Sequence, residues 1–183
     1  MGKYEQILKF TFLNGAVYPV KFWASVFVLC ATLAILSPQA QAQPQAQPIQ
    51  KLYDRVSLSE QDFSGKNLKG ITFKRTNMRK MNLKGANMTK AIFARTNVED
   101  SDLTNANLRG ALLDRANFTN AKLTNADMRD ILATGSLFKN TDITGVDFTN
   151  AVLDTFQTAE FCKRAKGVNS VTKADTRKSL GCK

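Results

Sequence analysis

The sequence predicts a solenoid, a narrow column whose chain turns after every five residues, and three observations carry that reading. A large apolar residue returns at every fifth position from Phe63 to Leu153; 18 of the 19 sites qualify, and Ala133 is the one miss. The position two before each anchor is small. From Thr76 onward Ala, Ser or Thr fills 13 of 16 such sites, with Met81, Ile131 and Val146 as exceptions. Asn or Asp precedes the anchor at 12 of the 19 sites, as in Asn87, Asp102, Asn107 and Asp127. A period of five is neither the 3.6 of a helix nor the 2 of a flat strand. One large and one small inward residue per five suit a narrow core, and Asn, Asp and Gly suit the turns between units.

The unit is plain in Ala106-Asn107-Leu108-Arg109-Gly110. This stretch, about half of the chain, resembles the pentapeptide-repeat family. The resemblance implies an all-β fold, a right-handed quadrilateral β-helix with four units per coil. Some five coils would then stack over 53–155, with residues 20 apart lying ~4.8 Å from each other as neighbouring strands do. Under that arrangement Ala133 falls in the column Phe73, Phe93, Leu113, Ala133, Leu153. The site two before it holds the unusually large Ile131, a volume swap within one unit.

The chain before the repeat has a different character. Lys3, Lys9 and Lys21 precede an apolar run from Phe22 to Leu36, and Ala40-Gln41-Ala42 follows. Residues 1–42 read as a secretory signal peptide cleaved after Ala42. The alternative is an uncleaved anchor, although 15 apolar residues fall short of the ~20 that span a bilayer. Lipidation at Cys30 is disfavoured by the bulky Leu29 before it. Residues 43–52, rich in Gln, Pro and Ala, read as a disordered linker. Tyr53, Val56 and Leu58 are placed to cover the first coil; alternatively, since Leu58 is already in register, the solenoid begins one unit early.

After Leu153 the period ends, and 156–183 read as a C-terminal cap with a short helix over Thr158–Arg164. Cys162 and Cys182 are the cysteines left after signal removal, and in an exported protein an isolated pair reads as a disulfide. The alternative is two unrelated thiols. The segments around the two cysteines resemble the C-terminal cap of lumenal pentapeptide-repeat proteins from cyanobacteria and plastids.

The net charge is +11; without Lys3, Lys9, Lys21 and Glu5 it is +9. From Gln61 to Arg95 nine basic residues stand against Asp62 alone. Arg75, Arg95 and Arg115 are 20 apart and so share a face, a candidate column for a protein partner or an anion. A solvated face explains them without any ligand, since like charges ~5 Å apart repel by only about 1 kcal/mol in water.

No histidine is present, which removes the commonest general base and metal ligand. Two cysteines are too few for a structural zinc site, and no phosphate loop or nucleophile elbow appears. The expectation is a non-enzymatic protein with no cofactor and no catalytic or metal site. It would work as a rigid scaffold in the thylakoid lumen or periplasm, docking a protein partner that is acidic or part of a membrane complex. A second reading is a peripheral protein held to anionic lipid by its basic coils. A third is a topoisomerase-protecting DNA mimic, which basic charge and export both oppose. No nucleic-acid partner is expected, because no aromatic stacking platform is apparent.

Overall fold

The computed structural model describes residues 10–13, 16–19 and 52–183. The chain divides into two units, residues 1–46 and 47–183. In the first, strand β1 (Phe10–Leu13) pairs antiparallel with β2 (Ala16–Pro19), Phe10 opposite Pro19. The apolar run 22–36, the cleavage region and residues 43–51 lie outside the described residues, and with them the apolar run and cleavage site of the signal-peptide reading and all of the linker but Leu52.

The second unit is a parallel ladder with a register of 20 residues. Strand β3 (Leu52–Asp54) pairs with β4 (Thr72–Lys74), and β4 with β5 (Ile92–Ala94). Single parallel bridges carry the same register onward, from Ser57–Asn77 through Leu132–Val152. Each coil bonds to the next by a constant rule. Phe63 N–H donates to Asn82 O at 2.8 Å, and Asn82 N–H donates back to Gln61 O at 3.1 Å.

The turns explain why the period is five. Every fifth residue from Arg55 to Asn150 has a positive φ, whether Gly, Asn, Asp, Arg, Lys or Glu. A left-handed residue once per unit bends the chain, and most turns close with a bond such as Ala106 N–H to Leu103 O, 3.0 Å. Twenty residues of register and a turn every five give the column four sides.

The pre-anchor Asn and Asp have a second local role. Each of the twelve accepts a bond from the backbone N–H two residues on: Asp62 from Ser64 at 2.8 Å, Asn107 from Arg109 at 3.0 Å, Asp147 from Thr149 at 2.9 Å. These side-chain turns satisfy the turn's own N–H without help from a neighbouring coil.

Inside the column the anchors and the small residues are both buried, from Leu68 to Phe148. Ile131 and Ala133 are each fully buried, as the volume swap requires. Aromatic rings run the length of the unit. Tyr53 stacks on Phe73 at 5.4 Å, Phe73 on Phe93 at 5.2 Å, and Phe118 on Phe138 at 5.2 Å. Burying one such ring contributes ~1.5–3 kcal/mol, and stacking adds further.

Two boundaries differ from the sequence reading. The register reaches Leu52, inside the span read as linker, because Leu52 pairs with Thr72. Tyr53 and Leu58 therefore belong to a coil and do not cover one, in line with the early start that the register of Leu58 offered; Leu58 N–H donates to Asn77 O at 2.7 Å. Helix α1 spans Thr155–Arg164, starting three residues earlier than Thr158, and a short helix α2 spans Thr176–Ser179. Asp154 sets the earlier start: its carbonyl accepts the Thr158 N–H at 3.0 Å while its carboxylate accepts Gly135 N–H at 2.9 Å. Among the described residues no helix is long and apolar enough to cross a membrane.

Candidate functional site

Two features bear on function: the basic first coils and the sealed C-terminal end. The first is built by the turns. Arg75, Arg95 and Arg115 occupy left-handed positions, with φ of 51°, 54° and 51°. Gly or Asn adopts this conformation at lower cost than Arg. The three stand at one corner of successive coils, as their spacing predicts, but they are not equivalent. Arg75 Nε lies 3.4 Å from Asp54 Oδ1, and Arg115 Nε lies 3.8 Å from its neighbour Asp114. Arg95 makes no ion pair among the described residues, and neither do Lys66, Lys69, Lys74, Lys80 and Lys90.

Most acids of the later coils are already engaged. Asn120 donates to Asp100 at 3.1 Å and Arg79 at 3.2 Å, and together they hold that carboxyl below its ordinary value. Asn150 and Arg109 do the same for Asp130. Arg129 grips Asp127 with two bonds, of 2.8 and 2.7 Å, and sits 3.7 Å from buried Asp147. Within the column, cations without an ion pair among the described residues are thus concentrated in the first coils, with only Lys122 and Lys139 in the later ones.

The second feature seals the column. Phe161 of α1 is buried and packs edge-on against Phe138, centroids 5.4 Å apart, and against Phe148 at 5.3 Å. The open carbonyls of the last coil are taken up from the cap. Arg164 donates to Thr141 O and to Phe138 O, and Gln157 to Ser136 O. Asn169, wholly buried, donates through one nitrogen to the carbonyls of Asn125, Ala126 and Gly145, the shortest at 2.8 Å. Ser179 Oγ accepts Phe148 N–H at 3.0 Å. Cys162 and Cys182 are bonded, Cα atoms 5.6 Å apart, and close a loop of 20 residues. A loop of that length corresponds to ~3 kcal/mol on the chain-entropy account. Arg177 reinforces the closure by donating to Cys162 O at 2.5 Å and Lys183 O at 2.8 Å.

Between α1 and the last coils lies an open groove of about 580 Å³, lined among others by Leu137, Phe156, Gln157 and Arg164. Among the described residues no group of three or more His, Cys, Asp or Glu side chains is placed to hold a metal ion.

The profile of "Pentapeptide repeats" matches residues 54–89 and 91–130 in eight copies. A solved structure, a pentapeptide repeat protein of the Arabidopsis thaliana thylakoid lumen, is 38% identical. It aligns over 76% of this chain and 95% of its own, with a TM-score of 0.69. The chain belongs to the pentapeptide-repeat family. The curated thylakoid lumenal protein TL20.3 of Arabidopsis thaliana is 54% identical over 35 residues, which is 19% of this chain. That match spans only 12% of the length of TL20.3. HetL, a pentapeptide repeat protein from the cyanobacterium Nostoc, aligns at 25% identity over 53% of this chain and 48% of its own, TM-score 0.43.

Sequence reasoning found the arginine column and both cysteines. It missed Asn169, Arg164 and Arg177, because each acts once and lies outside the repeat. The only signal for Asn169 is its place between the two cysteines, in a segment with no periodic role.

Proposed function

We propose that the protein is a non-enzymatic, rigid scaffold in the thylakoid lumen or an equivalent extracytoplasmic space, where it docks a protein partner. The observation that carries this reading is the 38% identity along 95% of a thylakoid-lumen relative. The disulfide agrees with an oxidising compartment. Rigidity follows from construction. Each coil is tied to both neighbours by backbone bonds, its turns are closed locally, and its exposed end is sealed by the cap. Such a column presents side chains at fixed ~4.8 Å intervals. The unpaired cations of the first coils favour an acidic partner. A DNA-mimic role would need the opposite charge.

The test is intact mass of the protein taken from fractionated source cells, before and after reduction and alkylation. The expected result is a chain starting near Gln43, found in the lumenal or periplasmic fraction, with a two-hydrogen deficit that reduction removes. A full-length cytosolic chain with free thiols would overturn the compartment and the disulfide together.

A further inference from the structure

The four sides of the column differ at their centres. On three sides the outward residue before the anchor is mostly Asn or Asp, and its side chain closes the turn. The third side has none. Leu52, Thr72, Ile92, Leu112, Leu132 and Val152 follow one another in register up its middle. Leu112, Leu132 and Val152 are 38%, 45% and 50% exposed, and Leu52 58%. At Leu52, Ile92, Leu112, Leu132 and Val152 this side gives up a turn-closing side-chain hydrogen bond and exposes aliphatic surface in exchange. Both changes run against stability, and such local violations mark functional surfaces.

Charge singles out the same side. At the turn positions from Ser59 to Thr155, the two corners flanking the third side carry eight basic and three acidic residues; the excess lies beside Thr72 and Ile92, with five basic and no acidic residues, while three of each flank Leu112, Leu132 and Val152. The other two corners carry four and three. Lys69 and Lys90 on one edge, and Lys74 and Arg95 on the other, make no ion pair among the described residues.

We propose that this third side is the docking surface, and that its occupant is an acidic amphipathic helix of a partner protein laid along the column axis. The inference rests on the scaffold reading above and assigns it a face and a ligand. The backbone of the third side is fully used between coils: Leu112 N–H donates to Ala91 O at 2.9 Å and Phe93 N–H to Leu112 O at 2.7 Å. An added strand would find no edge there, so recognition falls to side chains. Spacing favours a helix. Ladder residues recur every ~4.8 Å, and the apolar ridge of a helix every ~5.4 Å. Over four residues the two drift apart by less than about 2 Å, whereas alternate residues of a strand, ~6.7 Å apart, leave register at once. Acidic flanks on that helix would meet the cationic corners. A second copy of this chain would instead oppose cation to cation. A bilayer is a poorer fit, because half-covered aliphatic side chains between two corners do not reach the ~5–10 Å into lipid that interfacial elements reach.

The experiment places a benzophenone amino acid at Leu132 of the full chain in its source cells, with controls at Lys122, Asn107 and Asn117 on the other sides. Irradiation is followed by sequencing of the crosslinked peptide. The expected result is a protein adduct at position 132 whose peptide is net acidic with apolar residues at helical spacing. Adding Lys90→Glu and Arg95→Glu should cut its yield about tenfold; Lys80→Glu with Lys139→Glu, on the opposite corner, should not. A lipid adduct, an adduct to a second copy, or a yield indifferent to Lys90 and Arg95 overturns the inference. Protein adducts from the other sides alone overturn the assigned face and leave the scaffold reading standing. No protein adduct from any side overturns both.

Discussion

The repeat column and its C-terminal cap solve the same problem, closing a β-structure against water, in opposite ways. The column repeats one local recipe: a left-handed fifth residue, an Asx-closed turn, a large and a small buried side chain. No single unit is indispensable, since its neighbours carry the same bonds. The cap uses each residue once. Phe161 fills the end of the core, Asn169 takes three carbonyls, and one disulfide fixes the tail. Redundancy makes the column tolerant, and singularity makes the cap fragile.

Substitutions should therefore rank by region. Phe161→Ala removes the buried ring that joins α1 to Phe138 and Phe148, at a cost of ~3–5 kcal/mol. Limited proteolysis should release residues beyond 154 while the coils stay intact. Next, Asn169→Ala leaves the carbonyls of Asn125, Ala126 and Gly145 without that donor, for ~1–3 kcal/mol. Hydrogen exchange should rise in the last coil and the cap, and not in the first coils. The column counterpart is smaller. Asn107→Ala loses one turn bond to Arg109 N–H and should cost about 1 kcal/mol, read as a small shift in thermal midpoint.

Acid probes the same contrast. Burial alone would raise the Asp147 carboxyl, but bonds from Thr149 and Thr172 and the charge of Arg129 together outweigh it and hold it below the ordinary 3.8. Asp142 and Asp102 behave alike, burial opposed by bonds from Thr144 and Thr104. A lowered carboxylate stabilises the fold above its unfolded value, and that contribution is lost as pH falls through the folded one. Thermal stability should be level from neutral pH to about 4 and decline below it.

How much was legible in the sequence follows from the same division. The period, the inward residues and the 20-residue columns are written many times over between Phe63 and Leu153, so one miss at Ala133 did not obscure them. The turn role of Asn and Asp was readable from residue chemistry; their bond to the N–H two residues on needed coordinates. The register starts at Leu52, one residue before the span read from the sequence, even though that coil lacks small residues at Gln61 and Lys66, which are exposed. The contacts of Asn169 could not be read, because sequence does not say which carbonyls a folded end leaves open. Reading pre-anchor residues by column, and not along the chain, would have shown Ile92, Leu112, Leu132 and Val152 as one apolar side.

That side carries the central claim, that its apolar residues serve binding and not stability. The most direct measurement is the thermal midpoint of a Leu112→Asn/Leu132→Asn variant beside the unmodified chain. Each asparagine can close its turn as Asn107 does, so the account predicts a midpoint unchanged or raised by a few degrees, ~1 kcal/mol per bond at most. A midpoint lowered by several degrees would mean that these leucines hold the column together, and would contradict the claim.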